Sequence, residues 1–209
     1  MQQGTSIHPT IVQDLFDSAA NAAAKGQAQF LTPVEFGQAL AAGLPEHRPV
    51  IVDLNCGPGQ LLQAVRNGTT QHLLGADIET CRNVPGVAVE RITADLTRLY
   101  PLLVETDFQA DLYALNPPWD LHWFKNRLSL LAESDLEAVR EAFAQRDSRL
   151  GPDTIDSTIA TLMIALDRCS YRGEGFLIAN ESTLQWLIFG EGAPYGGLAQ
   201  HIWWHAVYD

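Results

Sequence analysis

The chain is poor in cysteine, which narrows the kinds of site and compartment to expect. Its three cysteines, Cys56, Cys81 and Cys169, are odd in number, widely spaced and without a CxxC pair. That pattern argues against a disulfide framework and against a zinc site. It fits a reducing compartment instead. We therefore predict a cytoplasmic protein without a metal centre.

Positive charge and long apolar runs are also scarce. Lysine and arginine number 13 against 25 acidic residues, which gives a net charge of −12 and argues against a broad nucleic-acid-binding surface. No run of about 18 apolar residues would span a membrane. The start lacks the basic and apolar segments of a signal peptide. With 209 residues, 46% of them hydrophobic, the sequence predicts one globular domain with an ample core.

The segment that organises the chain is residues 111–119. Residues 112–115 form an apolar run between breakers, which is typical of a central parallel strand. Neither Pro117 nor Pro118 can donate to a sheet ladder, so the strand must end at Asn116. Ligands of open α/β sheets bind at the carboxyl ends of the strands, so this loop is a candidate site.

The groups on this loop suit one kind of chemistry. An exocyclic amine on a nucleobase is a poor nucleophile, because its lone pair is conjugated with the ring. Two acceptors aimed at its hydrogens, the Asn116 side-chain oxygen and the Pro117 carbonyl, would favour the form that attacks, and Trp119 would stack on the base. The alternative is a plain strand-ending loop with Trp119 in the core, since Asn-Pro is a common turn dipeptide.

Three predicted strands precede this loop, and each ends at a carboxylate. Residues 50–52 form a strand that ends at Asp53 and leads through Gly57 and Gly59 into a helix. This is a variant of the glycine-rich nucleotide turn that lacks the third glycine, and alone it is a weak signal.

The next two strands supply further acceptors. Residues 72–78 place Asp77 close to the spacing, about 20 residues, at which an acidic residue binds ribose hydroxyls. Residues 87–92 form a third strand, followed by Asp95, which would accept from an adenine amino group. Either carboxylate is alternatively a turn or helix-cap residue.

The N-terminal part is predicted to be helical. One helix covers residues 10–25, and a second runs from Thr32 to about Ala42, with Thr32 as its N-cap and Pro33 at its first position. This second helix is either a capped surface helix or one whose N-terminus receives a carboxylate.

The C-terminal part alternates in the same way. We predict two helices, at residues 121–145 and 154–168. A strand at 176–179, a helix at 182–189 and a strand at 200–208 follow. Such alternation predicts an α/β fold with a doubly wound, mostly parallel sheet and helices on both faces.

Three motifs in this order resemble those of class I S-adenosylmethionine-dependent methyltransferases. The motifs are Gln29 to Pro33 (QFLTP), Asp53 to Gly59 (DLNCGPG) and Asn116 to Trp119 (NPPW), with tryptophan where tyrosine or phenylalanine is commoner. They are most similar to those of the adenine-N6 DNA methyltransferases of restriction–modification systems. The resemblance covers roughly residues 10–185 and implies a Rossmann-like core over residues 46–209, preceded by N-terminal helices and a cofactor lid segment over residues 1–45.

The resemblance also implies a site. The implied cofactor is S-adenosyl-L-methionine, and the implied reaction is methyl transfer to the N6 amino group of an adenine flipped out of DNA. The implied catalytic residues are Asn116, Pro117, Pro118 and Trp119. The implied cofactor-binding residues are Phe30, Thr32, Asp53, Asn55, Cys56, Gly57, Gly59, Asp77, Ile78, Asp95, Leu96 and Asn116.

Two departures from the family pattern concern partners. No segment is long or basic enough to be a target-recognition domain, and one strand follows Gly190 where the family has a hairpin. We therefore expect the chain to bind its DNA substrate weakly alone, and to depend on a specificity subunit or a recognition domain outside this sequence. We also expect the C-terminal strand to expose Trp203 or Trp204 for docking or self-association.

Other functions share these motifs. Protein glutamine-N5 methyltransferases and some RNA base methyltransferases use the same Asn-Pro-Pro-aromatic loop. A non-catalytic cofactor-binding subunit is a third interpretation, which the intact loop at Asn116 disfavours.

Overall fold

The central feature is a parallel sheet. The computed structural model describes residues 32–78, 89–94, 96–118, 137, 141, 157–179 and 183. Within them, five strands form one all-parallel sheet in the order β3-β2-β1-β4-β5, so the predicted α/β class is confirmed as Rossmann-like. The strands are β1 (Val50–Asp53), β2 (His72–Asp77), β3 (Glu90–Thr93), β4 (Ala110–Leu115) and β5 (Cys169–Leu177). The helices are α1 (Val34–Ala41), α2 (Gln60–Val65), α3 (Leu96–Glu105) and α4 (Ser157–Arg168).

Both faces of the sheet are covered, because alternate residues of each strand point to opposite sides. One core contains residues of α3 and α4 packed on the sheet residues Val52, Leu74, Tyr113 and Leu115. The other contains residues of α2 packed on Ile51, Leu73, Leu112 and Ala114. This arrangement confirms the prediction of helices on both faces and explains why the central strands are continuous apolar runs.

The strand order locates the crevice at which ligands bind in such sheets. From β1 the chain moves outward to β2 and β3, and it then returns to place β4 on the other side of β1. Ile51 pairs with Leu112 and Val52 with Tyr113, so β1 ends at Asp53 one residue before β4 ends at Leu115, at the same edge of the sheet. The loops after β1 and β4 therefore meet at the topological switch point of the sheet.

The predicted capping of α1 by Thr32 is wrong. Pro33 is the N-cap, with φ −56° and ψ 141°, and the helix begins at Val34. The N–H of Gly37 donates to the carbonyl of Pro33 at 3.1 Å, which is the first bond of the helix. The Thr32 hydroxyl is instead bonded to a side chain far along the sequence.

The fifth strand begins earlier than its predicted start at Phe176. It follows α4 directly and covers Cys169–Leu177, so Gly173 and Gly175 lie inside it and do not lead into it. At Gly175 a Cβ would stand 2.7 Å from the carbonyl oxygen of Tyr113 on β4, so the absence of a side chain permits the close pairing.

Several predictions concern residues outside the described ranges. They are the helix at 10–25, the helix at 121–145 apart from residues 137 and 141, the helix at 182–189 apart from residue 183, the strand at 200–208 with Trp203 and Trp204, and the first residues of the strand at 87–92 and of the helix at 154–168. Within the described ranges, no helix is long and apolar enough to cross a membrane.

Candidate functional site at the carboxyl edge of the sheet

The glycine-rich turn joins β1 to α2. Gly57 and Gly59 have φ of +47° and +91°, conformations that side chains disfavour. The turn is fixed to the neighbouring strand β2, because the N–H of Cys56 donates to the carbonyl of Ala76 at 2.9 Å. The turn predicted from the glycine spacing therefore exists and lies at the crevice.

Asp77 lies beside this turn, at the end of β2. Its carboxylate accepts a hydrogen bond from the N–H of Gly57 at 2.8 Å, so one contact of Asp77 fixes the turn itself. The next residue, Ile78, leaves 45% of its surface exposed. A half-buried carboxylate and an exposed apolar side chain thus adjoin the glycine turn.

Asp53 has a structural role in the same turn. It is only 2% exposed, and its Oδ1 accepts from the N–H of Asn55 at 3.0 Å. The pKa of this carboxyl is raised to about 7, mainly by burial and also by nearby Asp77, against the opposing effects of the Asn55 hydrogen bond and the Arg91 cation. Asp53 therefore shapes the loop after β1 from within the protein.

Sequence reasoning missed Arg91, which lies on β3. Its Nη1 donates to the carbonyl of Gly57 at 2.9 Å, and its Nη2 donates to the carbonyl of Pro58 at 2.8 Å. Nη1 also lies 3.3 Å from the Cys56 sulfur. The sequence shows only a basic residue inside a predicted strand. This pattern does not indicate that Arg91 bonds to carbonyls on the loop after β1.

The loop after β4 holds the proposed catalytic amide. Asn116 is 9% exposed, and its Nδ2 donates to the hydroxyl of Thr32 at 2.8 Å. Thr32 is 5% exposed, so the bond is shielded from water. The structure thus brings together two of the predicted site residues, which lie 84 positions apart.

Helix α4 holds both loops in place through two hydroxyls that sequence reasoning also missed. Ser157 donates to the carbonyl of Pro118, and Thr161 donates to Oδ1 of Asn55 at 3.0 Å. Residues four apart share one face of a helix, so one helical turn contacts the loops after β1 and β4. Serine and threonine at this spacing in an otherwise apolar helix are the signal that would have indicated it.

Four predicted site residues are not placed at the carboxyl edge by the described part of the structure. Phe30, Asp95 and Trp119 lie outside the described residues. Leu96 is buried in the core between α3 and the sheet, so its contribution is packing.

The carboxyl edge thus combines a turn with two glycines, the half-buried carboxylate of Asp77 and a buried amide, which suit a polar organic ligand. The part of the chain that the structure describes has no group of three or more His, Cys, Asp or Glu residues that would hold a metal ion. Searches for relatives add nothing to this description: no family model matches the sequence, and no curated protein is significantly similar to it.

Proposed function

We propose that this chain is an S-adenosylmethionine-dependent methyltransferase that acts on the N6 amino group of adenine in DNA. The observation that best supports the proposal is the hydrogen bond between Thr32 and Asn116. It joins the segment that resembles a cofactor motif to the loop that resembles a catalytic motif. Such a reaction requires donor and acceptor groups to meet at one point, since most of its rate comes from positioning.

The residues at the glycine turn fit the proposed cofactor. Gly57 and Gly59 present backbone without side chains, so a ligand can approach closely. An ionised carboxylate accepts several hydrogen bonds at once, so Asp77 can hold the turn and bind ribose hydroxyls together. The exposed Ile78 offers an apolar surface for a base. When bound, S-adenosylmethionine supplies a methyl group carried on a positively charged sulfonium.

The chain's own residues would prepare the acceptor. The Asn116 side-chain oxygen and the Pro117 carbonyl would accept hydrogen bonds from the amino group, which frees its lone pair from conjugation with the ring. Pro117 is buried, and the following Pro118 restricts its ψ to extended values, so its carbonyl has little freedom to turn. Trp119 would stack on the extruded base.

The proposal is tested with methyl-labelled S-adenosylmethionine and three acceptors: unmethylated DNA of mixed sequence, an RNA pool and a protein pool. We expect label on N6 of adenine in DNA, and a rate of labelling lower by about 10² to 10³ with Asn116→Ala. Label confined to glutamine side chains or to RNA would overturn the DNA assignment.

The net charge of −12 favours a second candidate, a protein glutamine methyltransferase, since it disfavours contact with a polyanion. An amide nitrogen is also planar and conjugated, so the same two acceptors would serve it. The protein arm of the same assay decides between the two.

For the DNA function, the charge also implies help from elsewhere. DNA affinity comes largely from cationic side chains that displace counterions, and sequence is read by groups that reach base edges. We propose that a specificity subunit or recognition domain supplies both. A gel shift with this chain alone should show weak binding without sequence preference, and tight specific binding would contradict the idea.

A further inference from the structure

The side-chain amide of Asn116 has two unlike ends of nearly equal size. Its oxygen accepts hydrogen bonds and its nitrogen donates them, and a half-turn of the amide exchanges the two. The proposed reaction uses the oxygen as an acceptor. A neighbouring group must therefore hold the amide in place with its oxygen available to the reacting group.

We propose that Thr32 is a positioning residue that anchors the Asn116 amide through its nitrogen and so holds its oxygen toward the reacting group. This inference rests on the proposed function and gives Thr32 a role different from the cofactor contact that its motif implies. The Thr32 hydroxyl accepts from Nδ2 of Asn116 at 2.8 Å. With the nitrogen held against Thr32, the oxygen occupies the opposite corner of the amide.

The surroundings of the bond make this selection effective. Thr32 and Asn116 are both buried, so water does not readily replace either partner. A hydrogen bond in such a low-dielectric site is electrostatically stronger than the same bond in water.

Helix capping does not explain the Thr32 hydroxyl. Helix α1 begins at Val34 with Pro33 as its N-cap and without a side-chain capping bond. A role confined to starting the helix therefore does not account for a hydroxyl at this position, whereas orienting Asn116 does.

The first test needs no turnover. In ¹⁵N–¹H spectra of the full chain, the Asn116 side-chain amide is assigned by its disappearance in Asn116→Asp. We expect slow hydrogen exchange of this amide in the wild type and in Thr32→Ser, which keeps the hydroxyl. Thr32→Val, which has nearly the same shape, should shift the resonance and speed its exchange. An unchanged amide signal in a folded Thr32→Val variant would overturn the proposal.

The second test measures turnover on the acceptor that the labelling assay identifies. Thr32→Val should lower kcat by roughly tenfold to a hundredfold, the scale associated with a misplaced reacting group. The KM for S-adenosylmethionine should change little, and Thr32→Ser should restore most of kcat. A rise in that KM with kcat unchanged would indicate the cofactor contact instead and would contradict the proposal.

A double variant separates orientation from general disturbance. Aspartate has two equivalent oxygens, so it has no orientation to select. Thr32→Val should therefore lower kcat much less in an Asn116→Asp background than in the wild type, and an equal effect in both would count against the proposal. If Asn116→Asp has no measurable turnover, the spectra of the single variants decide.

Thr158→Val is the matched control. Thr158 is also buried, and within the described part of the chain its hydroxyl has no hydrogen-bond partner. This variant should keep the kcat and the Asn116 amide signal of the wild type. If the wild type transfers methyl to no acceptor, the proposed function fails, while the amide spectra still test the orientation.

Discussion

The two edges of the sheet use polar side chains differently. At the carboxyl edge, three side-chain bonds join segments that lie far apart in sequence: Thr32 to Asn116, Ser157 to Pro118, and Thr161 to Asn55, with separations of 84, 39 and 106 residues. Four of these residues, Thr32, Asn116, Ser157 and Thr161, are buried.

At the amino edge, the polar bonds of the turn before β2 are more local and closer to solvent. Asn67 and Thr69 donate to the carbonyl of Glu46, across separations of 21 and 23 residues, and both bonds are exposed. The N–H of Thr69 also donates to the side chain of Asn67, which completes a compact turn. These hydrogen bonds use the polar groups of the turn within the protein, so few of those groups remain to bind a ligand.

A cavity by itself does not identify a site for chemistry. A surface cavity of about 410 Å³ lies at the amino edge, lined by Arg66, Asn67, Thr70, Gln71 and Leu73. The carboxyl edge differs in that it holds buried polar groups on loops that other elements fix in place. Such preorganised groups, and not volume alone, distinguish a site for chemistry.

The comparison is tested most strongly by removing one amide from each edge. Asn116→Ala should lower kcat by about 10² to 10³, because it removes an acceptor that acts on the reacting group. It should leave cofactor affinity nearly unchanged. Asn67→Ala should keep kcat, since its amide donates to a turn carbonyl. Equal losses of kcat in both variants would break the comparison.

The buried carboxyl of Asp53 should make stability depend on pH. Its pKa in the folded protein is about 7, above its ordinary value, so the folded state holds a proton that the unfolded state has released. This contribution to stability is fully present below about pH 4 and is lost as the pH rises through about 7.

Asp53→Asn removes this dependence. From pH 4 to pH 8, the free energy of unfolding of the wild type should fall by about 4 kcal/mol relative to the variant. Denaturant titrations at several pH values measure the difference, and a difference that stays constant with pH would contradict it.

Two carboxylates that accept backbone N–H bonds sharpen the comparison further. Asp77 accepts from Gly57 at the carboxyl edge, and Asp111 accepts from Val50 at the amino edge. Asp77→Ala should weaken S-adenosylmethionine binding by about 1–3 kcal/mol, because ribose hydroxyls lose their acceptor. Asp111→Ala should affect stability alone. Titration calorimetry distinguishes them, and equal weakening of binding would refute a specific role for Asp77.

Two glycines give the smallest expected effect. Gly59 has φ +91°, and a Cβ there would stand 3.0 Å from the Arg91 guanidinium, so Gly59→Ala should cost about 1–2 kcal/mol of stability. At Gly68, before β2, a Cβ would meet nothing within 4 Å, so Gly68→Ala should be nearly neutral. Thermal unfolding measures both, and a neutral Gly59→Ala would mean that the turn is not under this constraint.

Local signals in the sequence were sufficient for much of the fold. The strands β1, β2 and β4 are apolar runs that end at Asp53, Asp77 and Asn116, and burial on both faces requires such runs. The glycine turn was also predictable from local sequence, because its backbone conformation depends on the residues within it.

Features that depend on distant partners were not predictable in this way. The Thr32 hydroxyl has a local role available as a helix cap, but its actual partner lies 84 residues away. Arg91 reaches carbonyls 33 and 34 residues distant. The start of β5 was missed because Cys169 to Gly175 is polar and only partly buried, and its pairing with β4 supplies what its composition does not.

The most direct test of the account is an equilibrium titration of the full wild-type chain with S-adenosylmethionine and with its demethylated product. If the carboxyl edge is a cofactor site, each ligand should bind saturably with one site per chain and raise the unfolding temperature. Absence of both binding and a thermal shift at millimolar ligand would contradict the proposed function.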